Sequence, residues 1–254
     1  MSTPTVFFDI GATLITGPSL TPARQITAAL GLNEEQRQRL DRHLLTASID
    51  TPTALKALLK ETYSLPEGTA RDLARDVWRS QTDAPRAVPG GRELLTALQA
   101  AGIRYGFISN IWPPYAAAFR RLYGTLAETA LQFFSFRLGL AKPDGRLFQQ
   151  AADGAGLAPQ ACVMVGDSYE ADMQPAMTLG FATVWLLHRP EAERVWLEKI
   201  QRGSLPAPWR VVPTLAALDV AAVTCFEKET PHETNTVGMS VHGGDPRPVA
   251  PGPA

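Results

Sequence analysis

The sequence predicts an α/β protein, a doubly wound parallel sheet interrupted directly after its first strand by an all-helical insert. Three observations carry this prediction. Short apolar runs at Thr5 to Phe8, Ile103 to Ile108, Cys162 to Val165, Thr183 to Leu187 and Arg210 to Val212 are separated by segments of helix length. Runs that are apolar throughout, rather than at alternate positions, read as strands buried on both faces. The stretch from about Pro18 to Pro89 shows helical patterns and no strand-like run. A chain of 254 residues also suits one sizeable domain plus a smaller unit.

Within the insert, Asn33 and Gln36 form a capping box ahead of Leu40 and Leu44. Thr51 caps a second helix with Pro52 in its first turn and Leu55, Leu58 and Leu59 on one face, and Leu73, Val77 and Trp78 mark a third. Beyond it, Gly90 to Ala100 carries Leu94, Leu95 and Leu98 and stops at Gly102. Pro143 to Ala155 carries Leu147, Phe148 and Ala151, and Ala171 to Leu179 stops at Gly180. Residues 1–17 and 90–222 are therefore expected to form the α/β core and 18–89 a helical lid over the first strand's carboxyl end. Residues 223–254 form a tail, disordered from about residue 231, where GGDPRPVAPGPA has too little apolar surface to offset its ordering entropy.

Lys plus Arg number 24 against 25 Asp plus Glu, a net charge of -1, with no basic run. Neither nucleic acid nor an anionic membrane is expected as a partner. No apolar stretch approaches the ~20 residues of a spanning helix. The start MSTPTVFFDI has neither a basic n-region nor an h-region, so a cytoplasmic location is expected. Cys162 and Cys225 make neither a disulfide framework nor a metal spacing and read as small hydrophobes.

The chemistry collects where the strands end. Asp9 follows Val6-Phe7-Phe8, and a carboxylate there needs a cation or hydrogen-bond donors, which makes it a ligand or a nucleophile unless it is an Asx turn. Phe107-Ile108 delivers Ser109 and Asn110, a hydroxyl and a backbone amide able to hold a phosphoryl oxygen, though Ser-Asn is also a loop signal. Lys142 immediately precedes Pro143 at a helix start. Asp167 ends the run Val163-Met164-Val165-Gly166, and Asp172 opens the next helix. Such sheets bind ligands at this edge, and clustered hard oxygen donors suit Mg²⁺ bridged to a phosphate.

The order of these segments, FDIGATL, Ser109, the KPD at Lys142 and GDSYEAD at 166–172, resembles the haloacid dehalogenase-like superfamily of hydrolases over about residues 5 to 220. The insert resembles that family's first type of cap. The resemblance implies that Asp9 attacks phosphorus and forms an aspartyl-phosphate. It implies Mg²⁺ held by Asp9, the backbone carbonyl of Gly11 and Asp167, with Asp172 bound directly or through water. Lys142 would offset the clustered negative charge and orient Asp9, while Ser109, Asn110, Gly11 and Lys142 hold the phosphate of a small phosphorylated metabolite.

One position departs from the family. Its phosphatases usually carry Asp two residues after the nucleophile, as acid toward the leaving group and then base toward water; here that residue is Gly11. Such proton transfer contributes ~10² to 10⁴-fold. Four readings stay open. The first is a Mg²⁺-dependent phosphatase that acts on a good leaving group or borrows its acid from the cap or the substrate. The second is a weakly active or inactive phosphate-binding regulator. The third is a phosphonatase-like enzyme using a cap lysine, for which Lys56 and Lys60 are available but read as solvated charges. The fourth is a metal-independent 2-haloacid dehalogenase, suggested by Ser109-Asn110 and opposed by Asp167 and Asp172. His43 is an acid candidate from the cap, beside Leu40 and Leu44, where a structural role is the alternative. Trp112-Pro113-Pro114-Tyr115 lines the entrance or packs as an ordinary loop and helix start. Oligomeric state is open.

Overall fold

The computed structural model describes residues 3–225; the tail expected from about residue 231 lies outside them. In chain order the strands are β1 (Thr5–Phe8), β2 (Ile15–Thr16), β3 (Arg86–Ala87), β4 (Tyr105–Ser109), β5 (Leu131–Phe134), β6 (Cys162–Gly166), β7 (Ala182–Leu186) and β8 (Arg210–Val212). A strand that is apolar on both faces belongs in the middle of a sheet. Accordingly β1 lies between β4 and β6 in the order β5-β4-β1-β6-β7-β8, with every pairing parallel. Phe8 is in register with Phe107 on one side and Val165 on the other, so Asp9, Ser109 and Asp167 leave the sheet at one edge.

The pleat divides the core into two layers. Val6 and Phe8 pack with Leu94, Leu95 and Leu98 of helix Gly91–Ala100 and with Phe119. Phe7 enters the opposite layer with Leu147 and Phe148 of helix Gly145–Ala155 and with Trp185. Helices thus cover both faces, as the sequence predicts.

Residues between β2 and β3 form the helices Pro22–Leu30, Glu34–Thr46, Pro52–Tyr63 and Glu67–Asp83. They enclose their own apolar core, which includes Ile26, Leu40, Leu44, Leu55, Leu59 and Val77. The Asn33–Gln36 capping box is present with both bonds at 2.9 Å, and Thr51 accepts from the Ala54 amide at 3.1 Å. Antiparallel pairing of Ile15 with Ala87 and Thr16 with Arg86 ties together the two chain crossings into this unit.

Several elements differ from the sequence reading. Strand β3 lies inside the stretch read as free of strands; it is two residues long and owes its conformation to backbone pairing with β2 rather than to an apolar pattern. Strand β5 was hidden because it is an edge strand, mostly half-buried, with Gln132 in place of an apolar residue. The helix after Lys142 begins at Gly145, where the Asp144 carboxylate accepts from the Arg146 amide. The segment read as a helix from Ala171 instead opens with a π-turn, Tyr169–Met173, before the α-helix Gln174–Leu179. No helix among the described residues is long and apolar enough to cross a membrane.

Candidate active site

Asp9 sits one residue past β1, its amide donating to Val165 O at 2.9 Å, which fixes it between the ends of β1 and β6. Its carboxylate is nearly buried and receives two donors on a single oxygen, Oδ1: Ser109 Oγ at 3.0 Å and Lys142 Nζ at 2.6 Å. Both hold the carboxylate plane while leaving Oδ2 without either bond. Lys142 Nζ also donates to Asp172 Oδ1 at 2.5 Å, so one ammonium bridges two buried carboxylates. The second oxygen of Asp172 accepts from the Ser168 amide at 3.1 Å.

This arrangement depends on close approach. A Cβ built on Gly166 would meet Asp172 Cγ at 2.5 Å and Cβ at 2.8 Å, so only glycine lets the carboxylate lie against the end of β6. Asn110, expected among the phosphate ligands, turns its side chain to the backbone of Lys142. Its Oδ1 accepts from the Lys142 amide at 2.7 Å and its Nδ2 donates to the Lys142 carbonyl at 2.9 Å.

Carboxylate oxygens of Asp9, Asp167 and Asp172 can all lie within 4.8 Å of one another, and all three residues are buried. Three carboxylates against the buried Lys142 ammonium and the exposed Arg189 guanidinium leave an excess of negative charge that low-dielectric surroundings penalise. Burial, and then the neighbouring carboxylates, push Asp172 above the usual carboxylate range despite Lys142. Burial and Asp9 push Asp167 up likewise, against the pull of Arg189. Burial works to lower Lys142, but Asp172 and Asp9 outweigh it and hold the ammonium charged. An all-oxygen donor set with surplus negative charge fits a small hard divalent cation.

Sequence reasoning missed Arg189, three residues past β7, which bonds Asp167 Oδ2 through Nη2. No motif points to it, because an exposed arginine in a loop looks like any surface charge.

Gly11 keeps its side-chain position open. A Cβ there would find nothing nearer than Tyr115 Cε1 at 3.9 Å and Asp9 Oδ2 at 4.0 Å, so crowding does not exclude an acid. Tyr115 is the half-buried member of the Trp112–Tyr115 segment, its hydroxyl donating to Ile15 O at 3.3 Å. Trp112 does not line an entrance: it is buried among the four helices, edge-on to Trp78 with ring centres 5.5 Å apart. Lys56 and Lys60 both bind Glu67, at 2.7 and 3.0 Å, and His43 is exposed.

A family model described as haloacid dehalogenase-like hydrolase matches residues 3–180. The chain is 32% identical over 152 residues to the human protein named haloacid dehalogenase-like hydrolase domain-containing protein 3, a match covering 58% of this chain and 55% of that one. It is 30% identical over 128 residues to a phosphoserine phosphatase of Thermus thermophilus, covering 50% and 51% respectively. The chain thus spans about half the length of the curated relatives it matches. The crystal structure of CbbY from Rhodobacter sphaeroides in complex with phosphate shares the fold at TM-score 0.57 and 17% identity, covering 87% of this chain and 99% of that one.

Proposed function

The chain belongs to the haloacid dehalogenase-like hydrolases, and from that premise we propose that it is a Mg²⁺-dependent phosphatase acting on a small phosphorylated metabolite. The observation that carries this reading is the single buried ammonium of Lys142 set between Asp9 and Asp172 beside a third carboxylate, Asp167. That grouping has a purpose when a cation and a phosphate complete its charge.

Asp9 is the nucleophile. Ser109 and Lys142 occupy Oδ1, and Oδ2, the oxygen 4.0 Å from the Cβ position of residue 11, attacks phosphorus in line. The bond to the leaving oxygen breaks as the bond to Asp9 forms, and water then releases phosphate from the aspartyl-phosphate. Lys142 stabilises the charge that develops on the phosphoryl oxygens, and Ser109 with the main-chain amide of Asn110 holds them. The Asn110 side chain positions Lys142. Mg²⁺ would be held by Asp9, Asp167 and the Gly11 carbonyl, with Asp172 directly or through water, and would supply electrostatic stabilisation of the transferring group. The four helices of residues 22–83 act as the cap that shapes the pocket for the leaving group.

A phosphate-binding protein with little turnover is the second reading, favoured by Gly11. The phosphonatase-like reading is less favoured, since Lys56 and Lys60 pair with Glu67 at the surface of the helical unit. The test is a panel of phosphometabolites assayed for phosphate release with Mg²⁺ and with EDTA, and of 2-haloacids assayed for halide. Phosphate release that requires Mg²⁺ supports the proposal; metal-independent halide release, or binding of phosphate without turnover, overturns it.

A further inference from the structure

The three carboxylates of the site do not offer their oxygens equally. Asp9 Oδ1 accepts from Ser109 and Lys142, while its Oδ2 accepts no hydrogen bond among the described residues. Asp172 accepts on both oxygens, from Lys142 Nζ on Oδ1 and from the Ser168 amide on Oδ2. The Asp167 carboxylate accepts on Oδ2 alone, from Arg189 Nη2, and its Oδ1 accepts no hydrogen bond among the described residues. What remains open to a cation is one oxygen of Asp9 and one of Asp167.

The donors that cap the other oxygens differ in kind. Ser109 and Lys142 are buried parts of the core, and the Ser168 donor is backbone. Arg189 instead reaches in from the loop after β7, its side chain 57% exposed against 8% for Asp167. The Asp167 backbone is fixed separately, because Trp185 Nε1 on β7 donates to its carbonyl at 3.1 Å. Among the described residues, Arg189 is therefore the side chain that sets which way the Asp167 carboxylate turns. An ion pair with one partner in solvent adds little to stability, so its consequence falls on the carboxylate it holds.

We propose that Arg189 is a positioning residue that sets the cation selectivity of this site. This rests on the Mg²⁺ reading above. By occupying Oδ2 it limits Asp167 to a single free oxygen, as Ser109 and Lys142 limit Asp9. Ca²⁺ collects roughly 6–8 oxygens and often takes both from one carboxylate, whereas Mg²⁺ uses one or two carboxylates and keeps several waters. A cluster that offers single oxygens suits the smaller ion and disfavours the larger. With the guanidinium gone, Asp167 presents both oxygens, and Ca²⁺ gains a ligand that Mg²⁺ does not use. Removing a positive charge also strengthens the binding of both divalent ions, but by similar amounts, so the ratio of the two affinities separates ligand count from charge.

The experiment is calorimetric titration of metal-free protein with MgCl₂ and with CaCl₂, for wild type, Arg189→Met and Arg189→Ala, with a thermal melt of each. Both substitutions remove the donors of a mostly exposed side chain and should leave the fold intact. Wild type is expected to bind Mg²⁺ more tightly than Ca²⁺. Both variants should shift the ratio of the two dissociation constants toward Ca²⁺ by about tenfold or more, the scale on which outer-shell partners act on a metal site. A ratio within about threefold of wild type in the variants overturns the assignment, whether the two affinities stay put or change together. A wild type that binds Ca²⁺ as tightly as Mg²⁺ overturns it too, while leaving the Mg²⁺ reading in place. A wild type that binds neither ion overturns that reading and this proposal with it.

Discussion

Asn110 clasps the backbone of Lys142 from both sides, accepting from its amide at 2.7 Å and donating to its carbonyl at 2.9 Å. The clasp sets the height from which the lysine reaches Asp9 and Asp172. Each such bond contributes about 0.5–1.5 kcal/mol net. Asn110→Ala should therefore lower stability by about 1–3 kcal/mol in thermal or denaturant unfolding. It should lower kcat about tenfold or more, because a 1 Å displacement of a charged group from the reacting centre is expensive. Unchanged unfolding and unchanged kcat would contradict the clasp.

Gly166 and Asp172 make a second close pair. Gly166→Ala forces the Asp172 carboxyl away from the end of β6 and from Lys142. Mg²⁺ affinity measured by titration calorimetry should fall about 10- to 100-fold, the usual loss when ligand support is disturbed. Gly11→Ala is the control: its Cβ has room, with the nearest atoms at 3.9 and 4.0 Å, and affinity should be kept.

The carboxylate cluster also predicts a pH dependence. Burial raises Asp172 and Asp167 in the folded protein above their unfolded values. A raised carboxyl contributes stability that is fully present below the unfolded pKa, about 4, and is lost as pH climbs through the folded value. Metal-free protein should therefore melt at lower temperature as pH rises from about 4 toward neutrality. Mg²⁺ should reverse the loss, most strongly at the neutral end. Asp172→Asn should flatten the metal-free profile. A metal-free Tm that rises over this range in wild type and variant alike would contradict the account.

Much of this architecture was legible in the residues. Fully buried strands such as Val6-Phe7-Phe8 and Val163-Met164-Val165 announce themselves because both faces demand apolar residues, and the carboxylates that follow them stand out by contrast. Capping at Asn33 and Thr51 is likewise local chemistry. Strand β5 was illegible because an edge tolerates Gln132, and β3 because two residues of backbone pairing leave no pattern. At the candidate site, Asp9, Ser109, Lys142, Asp167 and Asp172 stood out by their positions at strand ends and helix starts, and the structure brings their side chains together. The contacts of Asn110 and Arg189 did not stand out, since each depends on which distant segment its side chain meets: the Lys142 backbone or the Asp167 carboxylate. His43 shows the same limit in reverse. Its chemistry suited proton transfer, but its place on the helix turns it to solvent.

The central claim is that Asp9 is a nucleophile that turns over phosphate esters with Mg²⁺. Its most direct test is the steady rate of phosphate release by wild type and by Asp9→Asn, each with Mg²⁺, on the same phosphate ester. The account predicts Mg²⁺-dependent turnover by wild type and a loss of about 10³-fold or more in the isosteric variant, whose amide is no nucleophile. An Asp9→Asn protein that keeps a substantial fraction of the wild-type rate, or a wild type with no phosphate release, would contradict it.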